Sequence, residues 1–195
     1  LVVMSMITVQ GLTKRYGAKT VVDDVSFDVA EGETFGLLGP NGAGKTTIVE
    51  TIAGLRRPDA GRVRVAGLDP VADAEAVKEV LGVQLQESRF PDRMRVAEAL
   101  ELFASFYDSP APWRELMADL GLEDQASTPF AKLSGGQRQR LSIAVALLGR
   151  PKVAILDELT TGLDPNARRQ TWDLVERLKE RGVTMVLVTH FMEEA

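Results

Sequence analysis

The stretch TFGLLGPNGAGKTTI, Thr34 to Ile48, runs from a short apolar strand through a glycine-rich turn directly into a helix. Thr34 to Leu38 reads as a short apolar strand, and a helix is expected from about Lys45 to Leu55. Between them Gly39, Pro40, Asn41, Gly42, Ala43, Gly44, Lys45 and Thr46 fit the pattern G-x-x-x-x-G-K-[ST] at every fixed position. Those fixed positions would coincide by chance in about one such chain per hundred. The physical logic is that glycines let backbone N–H groups turn inward as an anion nest at a helix N-terminus. Lys45 supplies a cation for β- and γ-phosphates, and Thr46 a hydroxyl for Mg²⁺. The stretch predicts a nucleoside triphosphate site on an α/β fold.

Working outward, Ile7 to Leu12 and Val21 to Val29 read as strands, the second alternating through Val21, Asp23, Val25, Phe27 and Val29. Arg62 to Ala66 is a further short strand, followed by a helix expected around Ala72 to Leu81. From Arg89 to Lys132 the character is helical. Val96, Leu100, Phe103 and Tyr107 share one face, and Pro110-Ala111-Pro112 separates them from a second helix near Arg114. Val153 to Leu156 is a short buried strand. Asp164-Pro165 starts a helix with an N-cap acid and proline at its first position, Gly182 ends it, and Val183 to Thr189 is a last apolar strand. Strands alternating with helices imply a largely parallel sheet.

LSGGQ, Leu133 to Gln137, opens another helix whose apolar positions are Leu141, Val145 and Leu148. Ser134 and Gln137 have the spacing of a capping box. The residues between them are Gly135 and Gly136, and each could cost up to about 1 kcal/mol against alanine in a helix. Something must come close to that backbone. The strand ending at Leu156 runs into Asp157-Glu158, which puts two carboxylates at the carboxyl edge of the sheet, where open α/β folds bind ligands. Asp157 is the Mg²⁺ partner expected there, and Glu158 the base or polarising group for an attacking water. Taken alone, the pair reads equally well as loop acids in solvent. His190, the sole histidine, reads as a surface or satisfied residue on local grounds, and Tyr16 as hairpin core or as a stacking surface for a base.

Composition narrows the classes. The chain has 195 residues, 45% of them hydrophobic, enough for one domain of substantial core. A net charge of -5 argues against general electrostatic attraction to nucleic acid, and no nucleic-acid partner is expected. The absence of cysteine removes disulfides, thiol catalysis and zinc–thiolate sites. No apolar run approaches the roughly 18 residues of a membrane span, so a membrane would be reached through a partner.

Together these residues resemble the nucleotide-binding subunit of an ABC (ATP-binding cassette) transporter, from Tyr16 to the VTHFMEEA ending. LSGGQRQR is the most specific element, and the order of Tyr16, phosphate loop, Gln86, Leu133 to Gln137, Asp157-Glu158, TTGLDP and His190 agrees throughout. The resemblance implies an α/β phosphate-loop NTPase core with a mainly parallel sheet, an N-terminal antiparallel β subdomain and an inserted α-helical subdomain. In those terms 1–86 and 150–195 form the nucleotide-binding core and 87–149 the helical subdomain carrying the signature, all in a single domain over 1–195. The chain stops five residues after His190, where relatives continue, so C-terminal truncation is expected.

By the same resemblance Tyr16 stacks on adenine, and Gly39 to Thr47 bind the phosphates of ATP. Thr46, Gln86 and Asp157 hold Mg²⁺. Glu158 activates water, with Lys45, Gln86 and His190 contributing to catalysis. Two cassettes pack head to tail, so that Ser134, Gly135, Gly136, Gln137 and Asp164 of one copy meet the nucleotide of the other. A Cβ at Gly135 or Gly136 would obstruct that approach. The implied partners are a second copy and transmembrane permease subunits, on the cytoplasmic face of the membrane. GVQLQES, DELTTGLDP and THFMEEA point to the drug-resistance and ABC-2-type export branch. Leu159 stands where the family commonly has proline.

A soluble ABC protein acting on ribosomes or DNA is the competing class. The single phosphate loop and the lack of sustained heptads between Glu87 and Lys132 speak against it. No N-K-x-D guanine motif supports a GTPase.

Overall fold

The computed structural model describes residues 5–85, 90–161 and 163–189. The expectations placed on Gln86 and His190 lie outside the described residues. Strands β1 (Ser5–Tyr16) and β2 (Lys19–Ala30) form a hairpin turned at Gly17-Ala18, with Tyr16 opposite Lys19. They are followed by β3 (Thr34–Leu38), α1 (Lys45–Ile52), β4 (Ala60–Val65), α2 (Ala74–Lys78) and β5 (Leu81–Gln84). Helices α3 (Val96–Ala104), α4 (Trp113–Asp119) and α5 (Gly135–Leu147) come next, then β6 (Val153–Asp157), α6 (Pro165–Glu180) and β7 (Thr184–Thr189).

Two sheets result. One is antiparallel in the order β2-β1-β4, and the other is parallel in the order β3-β7-β6-β5. The parallel sheet is a wall between two apolar layers, and strand alternation explains why. Val153, Ile155, Val186 and Val188 face α1 and the antiparallel sheet, packing with Ile7, Val9, Ile48 and Ile52. Their neighbours Ala154, Leu156, Met185 and Leu187 face the helices, packing with Leu100, Leu141, Leu148 and Leu174. Burying each such Val, Ile or Leu stabilises the fold by about 1.5–3 kcal/mol relative to exposure. On the helical side α5 comes so close to β5 that a Cβ on Gly82 would stand 2.0 Å from the carbonyl oxygen of Ala146.

Three expectations need correction. The helix expected to Leu81 stops at Lys78, because Leu81 is already the first residue of β5, buried beside Val153. A five-residue run of apolar and polar residues carries too little periodicity to separate strand from helix. Helix α1 ends at Ile52 and not Leu55, since Gly54 takes φ +74 and breaks the turn. Tyr107 lies beyond the end of α3, although it packs against the same apolar layer as Leu100.

Candidate functional site

The turn between β3 and α1 is shaped by positive-φ glycines. Gly42 takes φ 82 and Gly44, the N-cap of α1, φ 90, a region in which an L side chain costs about 1–2 kcal/mol. Gly44 has a second constraint, because a Cβ there would lie 2.6 Å from the carbonyl oxygen of Val21 in β2. The hairpin therefore braces the loop from behind. Lys45 is buried to 9% exposure, and its Nζ donates to the carbonyls of Gly39 at 2.5 Å and Pro40 at 2.9 Å. Its charge is thereby held inside the loop. Thr47 is buried, and Thr46 is exposed on the cleft side of the helix start.

The two acids stand at the carboxyl end of β6. Asp157 is 4% exposed, which overturns the reading of it as a solvated loop acid, and Glu158, just past the strand, is half-buried. Burial, reinforced by the neighbouring charge of Glu158 and opposed by Lys45, pushes its carboxyl up to about 6. Glu158 has left-handed backbone, φ 49, pinned by its N–H donating to Val188 O at 2.8 Å. Behind it Leu159 is 4% exposed within the helical-side core, so the residue standing where the family commonly has proline is an apolar anchor.

These groups converge. A cleft of about 420 Å³ is lined by Lys19, Val21, Asn41, Gly42, Gly44, Lys45, Thr46, Thr47, Asp157 and Glu158. It opens at the carboxyl edge of the parallel sheet. Its donor set suits a phosphate chain accompanied by Mg²⁺. That ion typically takes one or two carboxylates together with substrate phosphates and water, and does not need an all-protein cage. Thr46 and Asp157 supply such a set, and among the described residues no cluster of three or more acids, cysteines or histidines forms a cage elsewhere.

The signature residues gather at a different place. Ser134 caps α5 as expected: its Oγ accepts from Gln137 N at 3.2 Å, and Gln137 Oε1 accepts from Ser134 N at 2.8 Å. Asp164 caps α6 by accepting from the N–H groups of Asn166 and Ala167 at 2.9 and 3.0 Å. The two helix starts are neighbours, since a Cβ on Gly135 would lie 3.6 Å from Leu163 Cδ2, and one on Gly136 3.1 Å from Ala167 Cβ. Ser134, Gly135, Gly136, Gln137 and Asp164 do not line the cleft. Gly136 also has a reason within the chain that the sequence did not disclose: it is buried where α6 crosses α5.

Tyr16 is 42% exposed, so it is not hairpin core. Arg56 and Lys14 lie over its ring at 5.6 and 5.7 Å from the centroid, and it does not line the cleft. The cleft instead takes Lys19 and Val21 from the next strand. Sequence reasoning missed both, although the Gly17 turn carried the signal that β2 begins opposite Tyr16. It also missed Gln84, buried to 3% exposure, whose only signal was an amide inside an apolar run.

The profile of the family described as ABC transporter matches residues 22–161. The chain is 43% identical over 195 residues to a Nod factor export ATP-binding protein I of Ralstonia nicotianae, covering 97% of this chain and 61% of that protein. It is 42% identical over 194 residues to a daunorubicin resistance ATP-binding protein of Streptomyces coeruleorubidus, with 97% and 61% covered. The chain thus spans about three fifths of the length of these curated relatives. Among solved structures, an ATP-binding subunit of an ABC transporter superposes with a TM-score of 0.86 at 30% identity, over 98% of this chain and 82% of that one. With this fold, the phosphate loop and paired acids in one cleft, and the family profile across most of its length, the chain belongs to the ABC transporter family as one of its ATP-binding cassettes.

Proposed function

We propose that the protein hydrolyses ATP with Mg²⁺ and couples that reaction to export of a substrate through separate transmembrane subunits. The observation that carries the reading is the meeting of the phosphate loop and Asp157-Glu158 in a single cleft. The relatives are export and drug-resistance ATP-binding proteins, which supports the direction of transport. None of the helices among the described residues is long and apolar enough to cross a membrane, which suits a subunit that docks on others at the cytoplasmic face.

In this reading the N–H groups of Gly39 to Thr47 and the Lys45 ammonium bind the β- and γ-phosphates, and Tyr16 receives the adenine. Thr46, Asp157 and Gln86 hold Mg²⁺, which when bound neutralises charge developing on the phosphate oxygens. Glu158 takes a proton from water as the water oxygen attacks the γ-phosphorus in line. The bond from phosphorus to the bridging oxygen breaks, and ADP leaves with that electron pair. His190 and Gln86 contact the γ-phosphate. Lys45 needs only to exchange two loop carbonyls for phosphate oxygens, so its charge is delivered with little reorganisation.

The site is completed in trans. Ser134, Gly135, Gly136, Gln137 and Asp164 crown two adjacent helix starts, a surface whose N–H groups favour an anion. They lie away from this chain's own cleft, and a second copy packed head to tail brings them to it. Sedimentation of Glu158→Gln with and without Mg-ATP tests the reading. A monomer-to-dimer shift on adding ATP is expected, and Ser134→Arg in the same background abolishes it. A protein that binds ATP yet stays monomeric in the whole protein would overturn the shared site.

A further inference from the structure

We infer that Gln84 is a positioning residue for Asp157, a role that rests on the reading of the cleft as a metal–nucleotide site. In a parallel sheet successive N–H groups point alternately to the two neighbouring strands. The N–H of Glu158 points to β7, where Val188 O accepts it, so the N–H of Asp157 points to the β5 side. There the backbone pairing has already ended, with Gln84 opposite Leu156 as its last register position. Asp157 is buried, and an orphaned N–H at that depth is costly. The side chain of Gln84 supplies the missing acceptor: its Oε1 takes the Asp157 N–H at 3.2 Å.

The other end of the same amide fixes its direction. Nε2 of Gln84 donates to Leu85 O at 2.9 Å. A flipped amide would set NH₂ against the Asp157 N–H and oxygen against the Leu85 carbonyl, so one orientation satisfies both contacts. Gln84 is 3% exposed, so bulk solvent does not reach the contact. A single buried amide therefore extends the sheet by one rung beyond the backbone ladder. The residue held by that rung carries the carboxylate facing the phosphate loop. The strand interior has no other need of an amide, because the adjacent register pairs Leu81–Val153, Gly82–Ala154 and Val83–Ile155 are backbone-paired and apolar.

The consequence concerns the placement of the carboxylate. Freed from Gln84, Asp157 keeps its charge and its register beside Val188 in β7, while its backbone loses its hydrogen bond to β5. Groups that orient a metal ligand typically matter by about 10–100-fold in metal affinity. Nucleotide held by the loop N–H groups and Lys45 does not depend on that bond.

The experiment measures two bindings on the whole protein. One is the affinity for a fluorescent ADP analogue in excess chelator, and the other is Mn²⁺ binding in the presence of ADP, read by electron paramagnetic resonance. Gln84→Met, which keeps the volume and removes both hydrogen bonds, is expected to weaken Mn²⁺ binding about tenfold and leave chelated ADP binding unchanged. Gln84→Glu, which as a buried neutral carboxyl keeps an acceptor for the Asp157 N–H and a donor for Leu85 O, is expected to lose less. Equal loss of both bindings in Gln84→Met, or wild-type Mn²⁺ affinity in that variant, overturns the positioning role alone. A wild-type protein that takes up no Mn²⁺ with ADP overturns the parent reading and the role with it. Unchanged ADP binding in Gln84→Met also shows that the variant has folded.

Discussion

A methyl group on Gly136 would stand 3.1 Å from the Cβ of Ala167, whereas among the described residues one on Gly135 meets only Leu163 Cδ2 at 3.6 Å, an ordinary contact. Adjacent glycines of one motif thus have different neighbours. Gly135→Ala should be neutral or stabilising by up to about 1 kcal/mol, because the helix gains propensity without a clash. Gly136→Ala should lose about 1 kcal/mol net, overpacking against α6 outweighing that gain. Urea denaturation should also show that Gly136→Ala costs less in an Ala167→Gly background. If both alanine variants fail to dimerise with ATP while only Gly136→Ala is destabilised, packing and contact in trans are separated.

Asp157 gives a pH dependence with a definite sign. Its ordinary value is 3.8 and the folded value about 6, so between those limits the folded protein holds a proton that the unfolded chain has lost. The group's contribution is greatest below about pH 3.8 and falls as pH rises to about 6. Above that, the buried charge costs up to about 3 kcal/mol in the absence of a bound cation. Asp157→Asn should therefore be more stable than wild type at pH 7.5 and gain little at pH 4, while losing metal-dependent turnover. A stability difference that does not change with pH counts against this.

The phosphate loop separates two glycine requirements. Gly42 has φ 82 and, among the described residues, nothing within 4 Å of a Cβ, so Gly42→Ala should cost only the left-handed backbone, about 1 kcal/mol. Gly44→Ala adds a collision with Val21 O and should cost about 3 kcal/mol. Because Val21 lines the cleft, thermal melts and ATP titration should fall together for Gly44→Ala and separate for Gly42→Ala.

Lys45→Ala removes the cation and releases the carbonyls of Gly39 and Pro40. ATP affinity should drop at least about tenfold, the scale of one lost charge-assisted hydrogen bond. Equilibrium binding of a labelled ATP analogue measures it. Affinity within twofold of wild type would sink the phosphate role.

Much of the fold was legible because the decisive signals are local. The glycine-lysine turn after β3, the capping box at Ser134 and the Asp164-Pro165 start each fix a helix end through bonds spanning three or four residues. What stayed hidden is non-local. β5 is strand only because Leu81 to Gln84 lie beside Val153 to Leu156, far along the chain. The burial of Gly136 depends on where α6 crosses, and the place of Lys19 and Val21 in the cleft depends on the hairpin folding back onto the loop. For the candidate site, residue types and order were readable, whereas the raised carboxyl of Asp157 follows from surroundings that no spacing encodes.

The parallel sheet faces a different apolar layer on each side, and this has a kinetic meaning. Amide hydrogens of β6 can reach solvent only when both layers come apart, so this strand should be among the last to exchange with deuterium. Asp157 and Glu158 sit at the end of that strand. The acids of the cleft are thus anchored to a strand that should open only when the layers on both its faces separate.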